Sequence, residues 1–93
     1  MTVQVLLPGA LASLAGGAKH LDVEPAGSTL ADLLDALGEQ HPMLCRRIRD
    51  ETGQVRRFVN VYVDGEDVRF DQGVRTPVAD GAVVHVMPSV AGG

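Results

Sequence analysis

Phe58-Val59-Asn60-Val61-Tyr62-Val63-Asp64-Gly65 is the stretch on which the fold turns. Alternation puts Val59, Val61 and Val63 on one side and Phe58, Asn60 and Tyr62 on the other, which is the period-two pattern of a strand with one buried face. Asp64-Gly65 predicts a tight hairpin turn, because both central positions of such a turn require positive φ. Residues 66–70 are then expected to pair back as a short strand at a sheet edge. After a loop over 71–79, Asp80-Gly81 repeats the turn signal. Residues 82–87 predict the last strand, with Val84 and Val86 inward and Pro88 as its stop.

Working outward toward the N-terminus, residues 2–7 also alternate, with Val3, Val5 and Leu7 on one side. Pro8, Gly9, Gly16 and Gly17 punctuate the next stretch, so an irregular connection is expected before Leu21 and Val23 alternate with His20, Asp22 and Glu24 in a return strand. The two strands predict an N-terminal hairpin. Leu30, Leu33, Leu34 and Leu37 then recur at i, i+3, i+4 and i+7, laying four leucines along one helical stripe with Asp32, Asp35 and Glu39 facing away. Ser28 or Thr29 supplies the N-cap, and Thr29 with Asp32 has the spacing of a capping box. Pro42 ends the helix near Gln40 or His41, and Met43, Leu44 and Ile48 predict a short second helical turn. The order is an α+β architecture, a mixed sheet with one main helix packed on one face. A parallel central pair formed by the first and last strands, the β-grasp pattern, is expected by analogy.

The 93 residues suffice for one core, here 1–88, with 89–93 as a flexible C-terminal Gly-Gly tail. A net charge of −4 disfavours general binding to nucleic acid or an anionic membrane, since such binders displace counterions with positive charge. Protein partners are expected instead. A single cysteine, Cys45, excludes an internal disulfide and fits a reducing, cytoplasmic setting. The apolar stretch over 6–17 has no basic residue before it and is broken early by Pro8 and Gly9, unlike a secretory signal. No apolar run reaches the roughly 20 residues of a membrane-spanning helix.

Ser89-Val90-Ala91-Gly92-Gly93 has no charged side chain, which leaves its terminal carboxylate as the reactive group. Without Cβ atoms, Gly92 and Gly93 can extend through a narrow tunnel and present that carboxylate to the α-phosphate of ATP. A free carboxylate is a poor acceptor for sulfur or amine nucleophiles, whereas an acyl-adenylate carries a good leaving group. Small residues at a chain end are also ordinary frayed ends. The position of Gly-Gly a few residues beyond the last core strand favours chemistry.

The segments Arg57-Phe58-Val59-Asn60-Val61-Tyr62-Val63, Glu66-Asp67-Val68-Arg69-Phe70, Ala79-Asp80-Gly81 and Pro88-Ser89-Val90-Ala91-Gly92-Gly93 resemble the ThiS/MoaD sulfur carriers, and look most like their CysO type. The resemblance runs from about Arg57 to Gly93, and the N-terminal half agrees chiefly in element order. It implies a ubiquitin-like β-grasp fold in a protein that is a substrate of enzymes rather than an enzyme. Gly93 would be adenylated by an E1-like enzyme using ATP and Mg²⁺, then converted to a thiocarboxylate. The chain itself would bind no cofactor. Val90, Ala91 and Gly92 would thread into the partner's active site. The sulfur acceptor would be a biosynthetic enzyme for cysteine, thiamin, molybdopterin or a secondary metabolite, with a metallopeptidase releasing the adduct in CysO-type systems.

Met87 falls by alternation on the face opposite Val84 and Val86, together with Phe58 and Tyr62, and these three are the candidate docking surface. Ordinary packing beneath a loop would give the same pattern. Cys45 has no histidine or acid at a catalytic spacing, and His20, His41 and His85 lack the paired spacing of a zinc site, so neither a nucleophile nor a metal is expected. Arg46, Arg47, Arg49, Arg56 and Arg57 form the one basic cluster, a solvated face or a surface that steers an acidic partner. Two other functions fit the same pattern. A ubiquitin-like modifier would pass Gly93 to a lysine amine, and a β-grasp interaction module would not use its tail.

Overall fold

Leu30, Leu33, Leu34 and Leu37 are fully buried along α2 (Leu30–Gln40), as their spacing predicts. The computed structural model describes residues 1–88 and shows why the helix begins where it does. The Asp32 amide donates to Thr29 Oγ1 and the Thr29 amide donates to Asp32 Oδ2, both at 3.2 Å, which completes the capping box. Gly27 allows this closure, since a Cβ there would collide with the Asp32 carboxylate. After His41, Pro42 opens α3 (Pro42–Ile48) at a position where its missing N–H costs nothing. Leu44 and Ile48 bury one face of α3, whereas Met43, expected to pack with them, is 58% exposed because it lies off their i, i+4 row.

The leucine stripe packs on one face of a five-stranded sheet ordered β2-β1-β5-β3-β4. β1 (Val3–Leu6) pairs antiparallel with β2 (His20–Val23) and parallel with β5 (Val83–Pro88). On the other side of β5, β3 (Val59–Val63) runs antiparallel to it and forms a hairpin with β4 (Glu66–Asp67). Val3, Val5, Val59, Val61, Val63, Val84 and Val86 all point into the core, so alternation gives the correct inner face on every long strand. Asp64 and Gly65 have φ of 50° and 88° and form the predicted turn. That turn is clasped to β5, for the Val83 amide donates to Asp64 Oδ1 and the Asp64 amide to the Val83 carbonyl, each at 2.9 Å.

Three segments differ from expectation. The connection after β1 is helical, with α1 (Gly9–Ala12) followed by a 3₁₀ turn over Ser13–Ala15, and it buries Ala12 and Ala15 before Gly16 and Gly17 close it at positive φ. The strand expected over 66–70 ends at Asp67, whose carboxylate accepts from the Arg69 amide and starts a 3₁₀ turn over Val68–Phe70. Pro88 is the last strand residue rather than a stop before it, paired opposite Val59. The topology, a mixed sheet whose central pair is parallel and whose inner face is crossed by α2, is a β-grasp. The tail expected over 89–93 lies outside the described residues. Among those described, no helix is long and apolar enough to cross a membrane.

Candidate functional site

With the inner face of the sheet closed by α2, the opposite face of β3 and β5 faces outward. Antiparallel register sets Asn60 opposite Met87 and Tyr62 opposite His85, and side chains on opposed residues of one face are near neighbours. These four, with Val83 and Pro88, border an open depression of about 470 Å³. It joins a thioether, a phenol, an imidazole and a carboxamide over an apolar floor. Such a shallow, mixed surface suits contact with another protein better than enclosure of a small molecule.

Beside the depression, Arg69 fastens the entrance of β3. Its Nη1 donates to Asn60 Oδ1 at 2.7 Å, and its Nη2 donates to the carbonyls of Arg57 at 2.7 Å and Val59 at 2.6 Å. Charge-assisted bonds from a planar guanidinium hold geometry more firmly than neutral ones. Since Val59 pairs with Pro88, the same clamp braces the last residues from which 89–93 continue.

The expected docking residues meet this geometry unevenly. Tyr62 and Met87 come together on the depression, Met87 being 38% exposed. Phe58 shares their parity and is 55% exposed, but it precedes β3 and does not line the depression. Asn60 and His85 join the lining beyond the expected residues, although their alternating places beside Tyr62 and Met87 carry that signal. Arg69 leaves no trace in strand periodicity, because its role follows from the 3₁₀ turn. Gly93, Gly92, Ala91 and Val90 lie outside the described residues.

Cys45 is half-buried between α2 and α3, its thiol donating to the Leu34 carbonyl at 3.4 Å, which is a packing role. In the arginine cluster, Arg49 pairs with Asp35 at 2.7 Å and Arg56 Nε donates to the Arg46 carbonyl at 2.8 Å. At the centre of the neighbouring turn, the Thr52 hydroxyl and then the amides of Thr52 and Gln54, with Arg56 nearby, hold the Asp50 carboxyl below its ordinary range. A lowered folded value means that this turn's contribution is present above the unfolded pKa of about 3.9 and is lost as pH falls through the folded one. Amide shifts of Thr52 and Gln54 followed by NMR are expected to move only below that pH, and Asp50→Asn to abolish the transition.

The fold that carries this face is shared with known proteins. The model of the ThiS family matches residues 5–93. The chain belongs to the ThiS family. Among its relatives, sulfur carrier protein CysO of Mycobacterium tuberculosis (strain ATCC 25618 / H37Rv) is 40% identical over 95 aligned residues that span all of both chains. A chain of the Amycolatopsis orientalis BexX/CysO complex is 37% identical with a TM-score of 0.80, the match covering 98% of this chain and 99% of that one. SAMP1 from Haloferax volcanii is 30% identical over 100% of both chains, also with a TM-score of 0.80. This ThiS-family chain is therefore a ubiquitin-like β-grasp protein and a homologue of sulfur carrier proteins.

Proposed function

We propose that the chain carries sulfur on Gly93 as the substrate of partner enzymes, and that it performs no catalysis of its own. The observation that carries this reading is the full-length relation to sulfur carrier protein CysO, together with a family match that extends to residue 93. In the first step a Gly93 carboxylate oxygen attacks the α-phosphorus of ATP, and pyrophosphate leaves. An E1-like enzyme supplies the nucleotide site and Mg²⁺. A sulfide or persulfide sulfur then attacks the acyl carbon, the bond to AMP breaks, and a persulfide donor needs two further electrons from a thiol reductant to release the thiocarboxylate. Val90, Ala91 and Gly92 thread the partner's channel while the open sheet face docks. The thiocarboxylate then donates sulfur to a biosynthetic enzyme; a CysO protein in complex with BexX in Amycolatopsis orientalis supports docking of such a chain on a partner protein.

ATP–pyrophosphate exchange by the E1-like enzyme tests the first step. Exchange is expected only when the chain is present, and its absence with every candidate enzyme would contradict the reading. Within that assay Met87→Glu is expected to raise KM about tenfold with little change in kcat, because a carboxylate buried at a docked apolar contact loses hydration without a partner. An unchanged KM would place docking elsewhere.

The likeness to SAMP1 favours one second reading, conjugation of Gly93 to lysine amines. Lys19 is the sole lysine of the chain, so linkage of one copy to the side chain of another would occur there alone. Adduct bands that vanish when residues 92–93 are deleted would support conjugation, and their absence while thiocarboxylate forms would exclude it.

A further inference from the structure

Basic side chains cluster along this sequence. Six of its eight basic side chains, Arg46, Arg47, Arg49, Arg56, Arg57 and Arg69, fall on α3, the approach to β3 and the 3₁₀ turn that clamps it, with only Asp50 and Glu51 interspersed over 46–57. Of the ten other carboxylates, Asp35 pairs with Arg49 and Asp67 and Asp71 flank Arg69, while the remaining seven lie elsewhere in the sequence with Lys19 and Arg75. Hydrogen bonds link four of the six, for Arg56 Nε donates to the Arg46 carbonyl and Arg69 Nη2 to the carbonyls of Arg56 and Arg57. Arg49 is neutralised by Asp35, whereas Arg46, Arg47 and Arg57 are exposed. Arg57 brings the patch toward Pro88, since it lies two residues before Val59, the partner of Pro88.

We infer that this arginine rim seats against a carboxylate-bearing surface around the mouth of the channel that takes the tail, in the E1-like enzyme first of all. The inference rests on the carrier reading. Any protein that takes residues 89–93 must come to cover the side chains beside Pro88, and on a chain of net charge −4 a local cationic face orients the encounter that the remainder opposes. Its composition is also chemically apt. A guanidinium stays protonated and is no nucleophile, so the rim supplies positive charge next to an activated acyl group without the free amine that would capture it.

The test compares Arg46→Glu/Arg47→Glu/Arg57→Glu with wild type in ATP–pyrophosphate exchange across a salt series, after melting curves show the variant folded. At low salt kcat/KM is expected to fall about tenfold with kcat retained, the gap closing as the Debye length shrinks to about 8 Å at physiological salt and below that at higher salt. Arg75→Glu, on the acidic remainder, is expected to change little. Equal kcat/KM for the triple variant and an active wild type would overturn the inference while leaving the carrier reading intact. If the wild type itself is inactive, the carrier reading fails separately, and NMR titration with an octaglutamate peptide decides the patch. Saturable, salt-sensitive shifts at amides 46–49 and 56–58 support it. Their absence, or tighter binding of an octathymidylate oligonucleotide at the same amides, overturns it.

Discussion

Deleting Gly93 is expected to lower activation by the E1-like enzyme at least about a hundredfold while leaving the melting temperature unchanged. Strand pairing among the described residues runs as far as Pro88, so the body's position on a partner fixes the point from which residues 89–93 set out. Fully extended, those residues reach at most about 17 Å, and removing one withdraws the carboxylate by about 3.5 Å. In-line attack on a phosphorus tolerates far less, since a misplacement of about 1 Å already costs about a hundredfold. Gly92→Val preserves the length but places a branched Cβ in the channel, and is expected to lose a similar factor through kcat. Pyrophosphate exchange and thermal melts read both effects. Retained exchange in either variant would show that the reacting group is not the Gly93 carboxylate or that the channel is wide.

Leu37→Ala is expected to cost about 3 kcal/mol of folding stability, within the range of about 2–5 for a leucine truncated in a closed core. Leu37 is completely buried on the last turn of the α2 stripe, in the same core cluster as Leu44 and Ile48 of α3 and the inner-face valines of the sheet. A domain of this size holds roughly 5–15 kcal/mol in all, so the melting temperature should fall by roughly 10–25 °C. Glu39→Ala on the exposed side of the same helix is expected to stay within about 0.5 kcal/mol. Differential scanning calorimetry separates the two. Equal small shifts would mean that the stripe is not the centre of the core.

Much of this fold is legible because its signals are local. Asp64-Gly65 needs only a turn rule, the leucine stripe only a period, and Thr29 with Asp32 only a capping geometry. Parallel pairing of β1 with β5 is not local, and it enters by analogy alone. The α1 segment hides because it is apolar throughout, so the burial of Ala12 and Ala15 three residues apart has no polar contrast to reveal a period. The strand beyond Asp67 fails because a side-chain bond competes with the ladder, diverting the chain into the turn that delivers Arg69 to β3. The site follows the same division. Parity gathers Tyr62 and Met87, while the displacement of Phe58 and the entry of Arg69 depend on where β3 begins.

Phe70 shows the same competition at the surface. It is 90% exposed at the end of the 3₁₀ turn, although a strand through 70 would have given it a sheet neighbour. Exposure of so large a ring follows from the turn geometry rather than from any feature of strand alternation.

Intact mass spectrometry of the purified chain, after incubation with ATP, Mg²⁺, the E1-like enzyme and a sulfide source, tests sulfur carriage on Gly93 most directly. The expected product is a mass gain equal to exchange of one oxygen for sulfur, abolished by deletion of Gly93 and unaffected by Cys45→Ser. Adenylation without that gain, or a gain that disappears with Cys45→Ser, would contradict it.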